Sequence, residues 1–477
     1  MPAIITEYLK NLPRRRRWFT LSAVIAGIVF PFILILSLLV QHGSVSNVVD
    51  FGPLKYGFVA LSTCSVLVLL IAGASLIIQS RRSRHSRFLS IITFLAAGIS
   101  IFITLALSAI VFLPQIIRSG DTPPQLLLTE SQSGGTPGIA VVFWTKEETT
   151  NTLEWGPIGQ ATQTIHEQRP VHHHWFQLDD LEPDKSYEYS VNGKQVKEFR
   201  TPPAEGKPLR FAASGDPHFG NPASNNALTA KMLDLVSEPA NGYSMLFILG
   251  DCAHLGFFDS LWKEAFGTIS SCTSSIPACY VIGNHDTLFG GLNLYQDYIC
   301  PPGYNDEKGS CLWKRIDNGN VHFIILDMEW DSRLFTPEQE AWLIKQLESI
   351  PPDDWCIVMS HTFYYCSGSR QNGWDWYDNR QTIEKLSPLF ERYHVDLVLS
   401  GHKHQSELLQ KNGVTYVVVG SFGGLPDGER EYISPASIWY RAGVYGFADV
   451  TINGDIASIV FRDYNDSELF KTTINRE

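Results

Sequence analysis

The chain has 477 residues and a formal net charge of −12, and this length allows two or three domains. Residues 1–120 carry 11 Lys and Arg against 2 acidic residues, whereas the rest carry 26 against 47. So acidic a region would repel a polyanion, which argues against a nucleic acid polymer as the main partner. The eight cysteines form no Cys-x-x-Cys pair, which argues against a zinc ribbon or a dithiol redox motif.

Three uncharged apolar runs, 18–40, 56–78 and 88–113, are each long enough to cross a bilayer as a helix. Arg and Lys residues cluster before the first run and between the second and third, which places both clusters in the cytoplasm. We therefore expect a multi-pass anchor in the cell membrane over 1–118, with a cytoplasmic N-terminus and an extracytoplasmic C-terminal part. Buried core helices and a cleaved signal peptide are the alternatives, and the length of the runs disfavours both.

Residues 125–203 contain short alternating strands separated by Gly, Pro and Asp turns, which predicts a β-sandwich. The predicted strands include 139–144, 152–155, 175–178 and 187–191. His172, His173 and His174 are adjacent on a strand and cannot all face one side, so we interpret them as strand decoration rather than as a metal site.

From residue 208 to about 465, near-continuous apolar strands alternate with helical segments, which indicates an α/β sandwich. Five strands are followed by polar clusters: Gly215-Asp216-Pro217-His218, Gly250-Asp251, Gly283-Asn284-His285-Asp286, Ser360-His361 and Gly401-His402-Lys403-His404. Ligands gather at the carboxyl ends of strands in such sheets, so the clusters can converge. Imidazole and carboxylate groups suit two ions such as Fe, Mn or Zn, which can bind a phosphate and generate a nucleophile.

This motif set resembles the calcineurin-like metallophosphoesterases. Segments 151–156, 181–189 and 199–203 resemble the fibronectin-III-like domain of the purple acid phosphatase branch. The resemblance implies a two-metal site in which Asp251 bridges the ions and a metal-bridging hydroxide attacks phosphorus. Asp216, His218 and His404 would complete one metal's shell, and Asn284, His361 and His402 the other's. His285 would be the general acid, oriented by Asp286.

Two positions depart from the purple branch, which has glycine at the position of His218 and an iron-binding tyrosine at that of His254. We expect a colourless site in which His218 substitutes for the tyrosinate. His254 could contact the metal ligands or the substrate, or it could lie in a plain loop. The segment 363–377 holds Arg370 and six aromatic residues. It could line the pocket, with aromatics packing on a substrate and Arg370 pairing a phosphate, or it could be a self-packed loop. We assign no role to Lys403.

The leading hypothesis is a membrane-anchored, metal-dependent hydrolase of phosphate esters outside the cytoplasm, with phosphomonoesters slightly preferred. A phosphodiesterase acting on nucleotides, phospholipids or envelope polymers is the alternative. A hypothesis of another class is a non-catalytic adhesion or receptor protein with a structural metal site. If the compartment is oxidising, Cys272–Cys279 and Cys300–Cys311 are the first candidate disulfides. We interpret Cys356 as a buried thiol.

Overall fold

The computed structural model describes residues 119–130, 135–160, 162–302, 311–371 and 374–476. The first ten strands are β1 Gln125–Thr129, β2 Gly138–Thr149, β3 Thr152–Pro157, β4 Gln163–His166, β5 Val171–Leu178, β6 Ser186–Val191, β7 Lys197–Arg200, β8 Leu209–Ser214, β9 Met245–Ile248 and β10 Ala278–Tyr280. Those that follow are β11 Lys314–Asn318, β12 Val321–Ile325, β13 Trp355–Ser360, β14 Ser369–Gln371, β15 Trp374–Trp376, β16 Leu397–Ser400, β17 Ser406–Lys411, β18 Val414–Val419, β19 Ser437–Arg441, β20 Gly446–Asn453, β21 Ile456–Asp463 and β22 Glu468–Asn475.

The described helices are α1 Asn226–Ser237, α2 Asp259–Thr273, α3 Asn284–Thr287, α4 Gly291–Ile299, α5 Pro337–Ser349 and α6 Arg380–Arg392, with short 3₁₀ turns at Pro239–Asn241, Leu288–Gly290 and Ser332–Leu334. The start of α5 shows why these segments become helical. Thr336 accepts a hydrogen bond from the Gln339 N–H, and Pro337 occupies the first helical turn, where its missing N–H has no cost.

Two large sheets pack face to face in the described part of the chain. One has nine strands in the order β22-β21-β20-β8-β9-β10-β1-β2-β5, and the other has seven in the order β11-β12-β13-β16-β18-β17-β19. The ring of Phe323 on β12 lies 5.3 Å from that of Phe211 on β8 and 4.8 Å from that of Phe247 on β9. These contacts bury the inner faces of both sheets in one apolar core.

Helices cover the two outer faces. Met232 of α1 and Trp262 of α2 are buried in the cluster on the outer face of the nine-stranded sheet. Leu343 of α5 and Leu386 of α6 are buried on the outer face of the seven-stranded sheet. The result is a four-layer α/β sandwich, so the predicted α/β part of the fold is present.

The predicted β-sandwich is not separate from this body. Its strands form two sheets, β1-β2-β5 and β4-β3-β6-β7, and the first continues the large nine-stranded sheet. The continuation is made by parallel pairing of β1 with β10, where Leu127 lies opposite Ala278. This pairing covers the β10 edge of the α/β part of the sheet, which would otherwise present open backbone groups. The fibronectin-III-like assignment stays a prediction.

The prediction of three transmembrane helices is corrected. Within the ranges that the structure describes, no helix is long and apolar enough to cross a membrane. The longest, α2, has 15 residues and reaches only about 22 Å, against about 30 Å of hydrocarbon core. The segments 18–40, 56–78 and 88–113 lie outside the described residues.

One of the two candidate disulfides is present. Cys300 at the end of α4 is bonded to Cys311. Cys272 and Cys279 are both free and buried, so the prediction of a bond between them is wrong. Cys272 lies on α2 and Cys279 in strand β10, and each side chain packs into a different apolar cluster. Cys356 is a buried thiol, as expected.

Candidate metal centre

All seven predicted ligand side chains meet at the carboxyl ends of strands from both sheets. β8, β9 and β10 of the nine-stranded sheet lead to four of them, and β13 and β16 of the seven-stranded sheet lead to the other three. Six of them form two groups of three, and within each group the ligand atoms lie within 4.8 Å of one another. The groups are Asp216, His218 and His404, and Asp251, His361 and His402, with Asn284 beside the second.

The first group brings together His218 and His404, which are 186 positions apart in sequence. His404 Nε2 lies 3.1 Å from His218 Nε2 and 3.3 Å from Asp216 Oδ1. In the second group, His361 Nε2 lies 3.0 Å from both Asn284 Oδ1 and His402 Nδ1. Each group therefore gathers ring nitrogens and side-chain oxygens at one point.

Asp251 belongs to the second group but also lies next to the first. Its Oδ2 atom lies 3.4 Å from His218 Nε2 of the first group and 3.4 Å from His361 Nε2 of the second. Its Oδ1 atom accepts a hydrogen bond from the His285 backbone N–H, at 2.8 Å, which fixes the plane of the carboxylate. This is the position that a carboxylate bridging two ions requires.

Backbone carbonyls orient two of the imidazoles. His361 Nδ1 lies 2.7 Å from the Leu249 carbonyl oxygen, and His404 Nδ1 lies 2.8 Å from that of Leu425. A carbonyl only accepts, so each Nδ1 carries a proton, and Nε2 is left as the ring atom that faces its group and can bind an ion. Ligating histidines in metalloproteins are held in this way.

The electrostatics of both groups favour positive charge. Burial lowers the pKa of His361, but Asp251 and Asp216 outweigh it and raise that pKa to about 10. Burial also opposes protonation of His404, yet Asp216 raises its pKa to about 9. Burial holds the pKa of His218 and His402 well below the usual range, so these two rings are neutral. The carboxylates of Asp216 and Asp251 therefore attract positive charge to both groups, and His218 and His402 supply neutral nitrogen donors.

The ligand atoms fit metal ions. Zinc–nitrogen bonds of about 2.0–2.1 Å place adjacent ligand atoms about 3.0–3.4 Å apart, the range found between His361, His402, Asn284 and Asp251. Further support comes from Asp216, whose buried Oδ1 atom lies 3.3 Å from His404 Nε2 and has no hydrogen-bond partner among the described residues. A buried polar atom without a partner is costly unless a ligand satisfies it.

Strained backbone brings the ligands into position. Asp216, His218, Asp251 and His402 have φ values of 62°, 49°, 54° and 65°, in the left-handed region that side chains disfavour. Such conformations concentrate at functional sites, where the surrounding structure maintains them. Gly250 has a φ of 91°, and a Cβ atom there would collide with the His361 ring, so only glycine fits before Asp251.

Two further histidines border the first group. The His285 ring lies 4.6 Å from the His218 ring and stacks on the His254 ring at 4.8 Å. His285 Nδ1 donates to the His254 carbonyl oxygen, at 2.7 Å. Burial and the neighbouring His285 lower the pKa of His254, which keeps that ring neutral. His254 thus borders the first group, and a contact between His254 and the substrate stays a prediction.

Asp286 does not orient the His285 ring, contrary to prediction. Its two carboxylate oxygens accept hydrogen bonds from the backbone N–H groups of Ala253 and Gly283, both at 3.0 Å. Burial raises the pKa of Asp286 to about 8, with a further contribution from Asp251. Asp286 therefore joins the loops that carry Asp251 and Asn284, and the His254 carbonyl orients His285.

With this geometry established, residues 209–406 match the sequence profile of the family described as calcineurin-like phosphoesterase. The chain contains a calcineurin-like phosphoesterase domain. It is 25% identical over 279 residues to "Probable purple acid phosphatase 20" of Arabidopsis thaliana, covering 54% of this chain and 62% of that protein. It is 24% identical over 309 residues to "Fe(3+)-Zn(2+) purple acid phosphatase 12" of the same plant, covering 59% and 62%.

Thus the chain aligns with less than two thirds of the length of these relatives. Among solved structures, a purple acid phosphatase from yellow lupin seeds shares the fold, with a TM-score of 0.62 and 18% identity over 75% of both chains. These similarities confirm the predicted superfamily and its purple acid phosphatase branch. They also confirm the class of the domain, a dinuclear metal-dependent phosphoesterase, and support the two predicted metal ions. The choice among Fe, Mn and Zn stays a prediction.

The contacts of Arg370 differ from those expected of a residue that pairs a phosphate. Arg370 is exposed on the β14–β15 hairpin, and its Nε atom pairs with Asp375 across the hairpin at 2.9 Å. The prediction that it pairs a phosphate finds no support in this contact. Lys403 is buried, and its Nζ atom lies 2.8 Å from Asp427 Oδ2, so it stabilises the loop between His402 and His404.

Sequence reasoning missed one aromatic neighbour of the metal groups. Trp330 follows β12, and its ring lies 5.1 Å from the His402 ring. From the segment 363–377, Phe363 and Trp376 also contact His402, at 5.9 and 4.8 Å. Trp330 belongs to no polar motif, and nothing in its local sequence signals proximity to residue 402.

Proposed function

We propose that the protein is a metal-dependent hydrolase of phosphate esters. The observation that carries this proposal is the position of Asp251 Oδ2, 3.4 Å from a ring nitrogen of each ligand group. A structural metal site has no need for a carboxylate shared between two groups, whereas phosphoryl transfer uses two adjacent ions. The retained His285 beside the first group supports a catalytic role as well.

Asp216, His218 and His404 would hold one ion, Asn284, His361 and His402 the other, and Asp251 both. Such a pair, when bound, supplies positive charge at the phosphoryl oxygens and a nucleophile at neutral pH. The protein's own contribution is to fix the ligand orientations through the Leu249 and Leu425 carbonyl groups. The buried ligands also exclude water from the phosphate, which strengthens its electrostatic interactions.

His285 is the proton donor in this proposal. The His254 carbonyl holds the proton on Nδ1, so Nε2 is the ring nitrogen free to exchange a proton with the leaving oxygen. Stacking on His254 limits rotation of the ring. The leaving group would thus depart on the side of the first ligand group, where His285 contacts His218.

We also propose that the domain acts outside the cytoplasm. The Cys300–Cys311 disulfide supports this location, because such bonds persist in oxidising compartments and are rare in the cytosol. Anchoring in a membrane is not part of the proposal. The competing hypothesis, a non-catalytic adhesion or receptor protein, predicts metal binding without turnover.

The experiment compares the full chain loaded with Mn, Zn or Fe, with and without chelator, on p-nitrophenyl phosphate and bis-p-nitrophenyl phosphate. Turnover should require metal. Asp251→Asn should lower metal content and reduce activity by at least the ~100-fold that loss of an outer-shell partner can cause. Asp184→Asn, which changes an exposed carboxylate paired with Arg200, is the matched control. A metal-loaded protein that hydrolyses neither ester would refute the proposal and favour the adhesion hypothesis.

A further inference from the structure

Two tryptophans flank the second ligand group. The ring of Trp330 meets the His402 ring edge-on, with centroids 5.1 Å apart and planes at 88°. The ring of Trp376 lies 4.8 Å from the same histidine, with planes at 65°. Both tryptophans are half-buried, so part of each residue is open to solvent next to the metal groups.

Neighbouring groups hold both tryptophans in place. The Trp330 carbonyl accepts hydrogen bonds from Thr362 Oγ1, at 2.7 Å, and from Asn379 Nδ2, at 3.1 Å. These bonds fix the Trp330 backbone, and the contact with His402 positions its ring, so the ring should lose little entropy on binding a planar group.

Trp376 is fixed from two sides. The buried Phe363 ring packs edge-on against it at 5.5 Å. Lys403 Nζ lies 5.4 Å from its ring centroid and is itself held by Asp427. The ring is therefore set in position before any ligand binds.

The tryptophans and the proton donor border different ligand groups. His285 contacts His218 of the first group, whereas Trp330 and Trp376 contact His402 of the second. A phosphate held by both groups would thus have its leaving oxygen beside His285 and another oxygen towards the tryptophans. A phosphomonoester carries no substituent on that other oxygen.

The charges beside the tryptophans agree with a diester. Lys403 is neutralised by Asp427, and Arg370 on the same hairpin as Trp376 by Asp375. Neither cation is therefore available to balance the second negative charge of a monoester. A diester has one charge and an organic substituent that aromatic rings can bind.

We propose that Trp330 and Trp376 form a subsite for a planar aromatic group on the retained ester oxygen, so that the substrate class is phosphodiesters of nucleoside type. This inference rests on the proposed function. A nucleobase has two large π-faces, and stacking on aromatic side chains is the common way in which proteins bind it.

Two diesters with the same leaving group test the inference on the full metal-loaded chain. They are thymidine 5′-(p-nitrophenyl phosphate) and methyl p-nitrophenyl phosphate, which differ only in the retained substituent. The wild type should favour the thymidine ester in kcat/KM. Trp330→Ala and Trp376→Ala should each reduce that preference roughly tenfold through KM, as expected for losing a base-stacking ring. The loss on the methyl ester should be several-fold smaller than the loss on the thymidine ester in each variant.

Tyr377→Ala is the matched control, because Tyr377 lies on the same hairpin but stacks on Tyr432 at 4.2 Å instead of contacting His402. Trp376→Phe should restore most of the preference. Equal hydrolysis of both esters by the wild type would overturn the inference. An equal loss on both esters in the tryptophan variants would also overturn it, because it would mean that the rings only shield His402.

Calorimetry separates failure of this inference from failure of the proposed function. Adenosine 5′-monophosphate should bind the metal-loaded protein at least about tenfold more tightly than ribose 5-phosphate, and Trp376→Ala should remove the difference. If no ester is hydrolysed but this difference appears, the proposed function fails and the aromatic subsite stands. If esters are hydrolysed and the two ligands bind equally, the subsite is refuted and the proposed function stands.

Discussion

The Nδ1 atom of His285 lies 2.7 Å from the backbone carbonyl oxygen of His254. A carbonyl orients an imidazole as firmly as a carboxylate does, but it adds no full negative charge beside the ring. Because the His254 carbonyl orients the His285 ring, the neighbouring Asp286 can instead accept hydrogen bonds from the backbone N–H groups of Ala253 and Gly283.

The first prediction concerns His285→Ala. The variant should keep its metal content, because His285 belongs to neither ligand group. It should slow alkyl phosphate esters about 100-fold or more, the usual contribution of a general acid, and p-nitrophenyl esters far less, because their leaving group needs no proton. The dependence of rate on leaving-group pKa measures this, with the exposed His166→Ala as control. An equal loss for alkyl and aryl esters would rule out the role of His285 as proton donor.

Asp286→Ala tests the corrected role of that carboxylate. Two buried backbone N–H groups, of Ala253 and Gly283, would lose their acceptors. The free energy of unfolding should fall by about 3 kcal/mol, as expected for two unsatisfied buried donors. Urea denaturation measures the loss, and Asp286→Asn, which keeps one acceptor oxygen, should lose less. If Asp286→Ala instead abolished the leaving-group effect at unchanged stability, the original role of Asp286 would be right.

A third prediction concerns stability at low pH. Asp449 is buried between two arginines: Oδ1 lies 2.9 Å from Arg210 Nε, and Oδ2 lies 2.7 Å from Arg462 Nε. Burial would raise the pKa of Asp449, but hydrogen bonds from both arginines outweigh it and lower that pKa below its usual value. The carboxylate therefore stabilises the fold above the unfolded pKa of about 3.9, and this contribution is lost as the pH falls through the lower folded pKa.

Asp449→Asn should lower the free energy of unfolding at pH 7 by about 3 kcal/mol, because two partly buried arginines lose their counter-charge. The difference between variant and wild type should shrink as the pH falls below about 4. Thermal unfolding between pH 2.5 and 7 gives both quantities. A difference that stays constant over this range would contradict the lowered pKa.

The fourth prediction concerns the disulfide. Cys300 and Cys311 are separated by 11 residues, and a loop of that size gives about 3 kcal/mol of stabilisation in the chain-entropy account. Cys300→Ser with Cys311→Ser should therefore lower the melting temperature. Reductant should lower it in the wild type and leave the double variant unchanged, because the other cysteines in the described part of the chain are free thiols. A reductant effect of equal size in both proteins would show that another bond is responsible.

The sequence by itself determined most elements of the α/β fold and the residues of the candidate site. Strands such as 209–214 and 355–360 were predictable because each is a continuous apolar run that a two-sided core requires. The ligand residues were predictable because each follows such a run directly, and the chain direction in a parallel sheet puts all these ends at one edge. Both signals are local in the chain.

Only the tertiary structure decided the contacts between distant segments. The pairing of β1 with β10, the partners of Asp286 and the packing of Trp330 against His402 each join residues that no local pattern relates. The free Cys272 and Cys279 show the same point, since a short separation in sequence did not bring their side chains together. The periodicity of apolar residues indicates which side of a helix or strand is buried. The packing of the layers decides which residues that side is buried against.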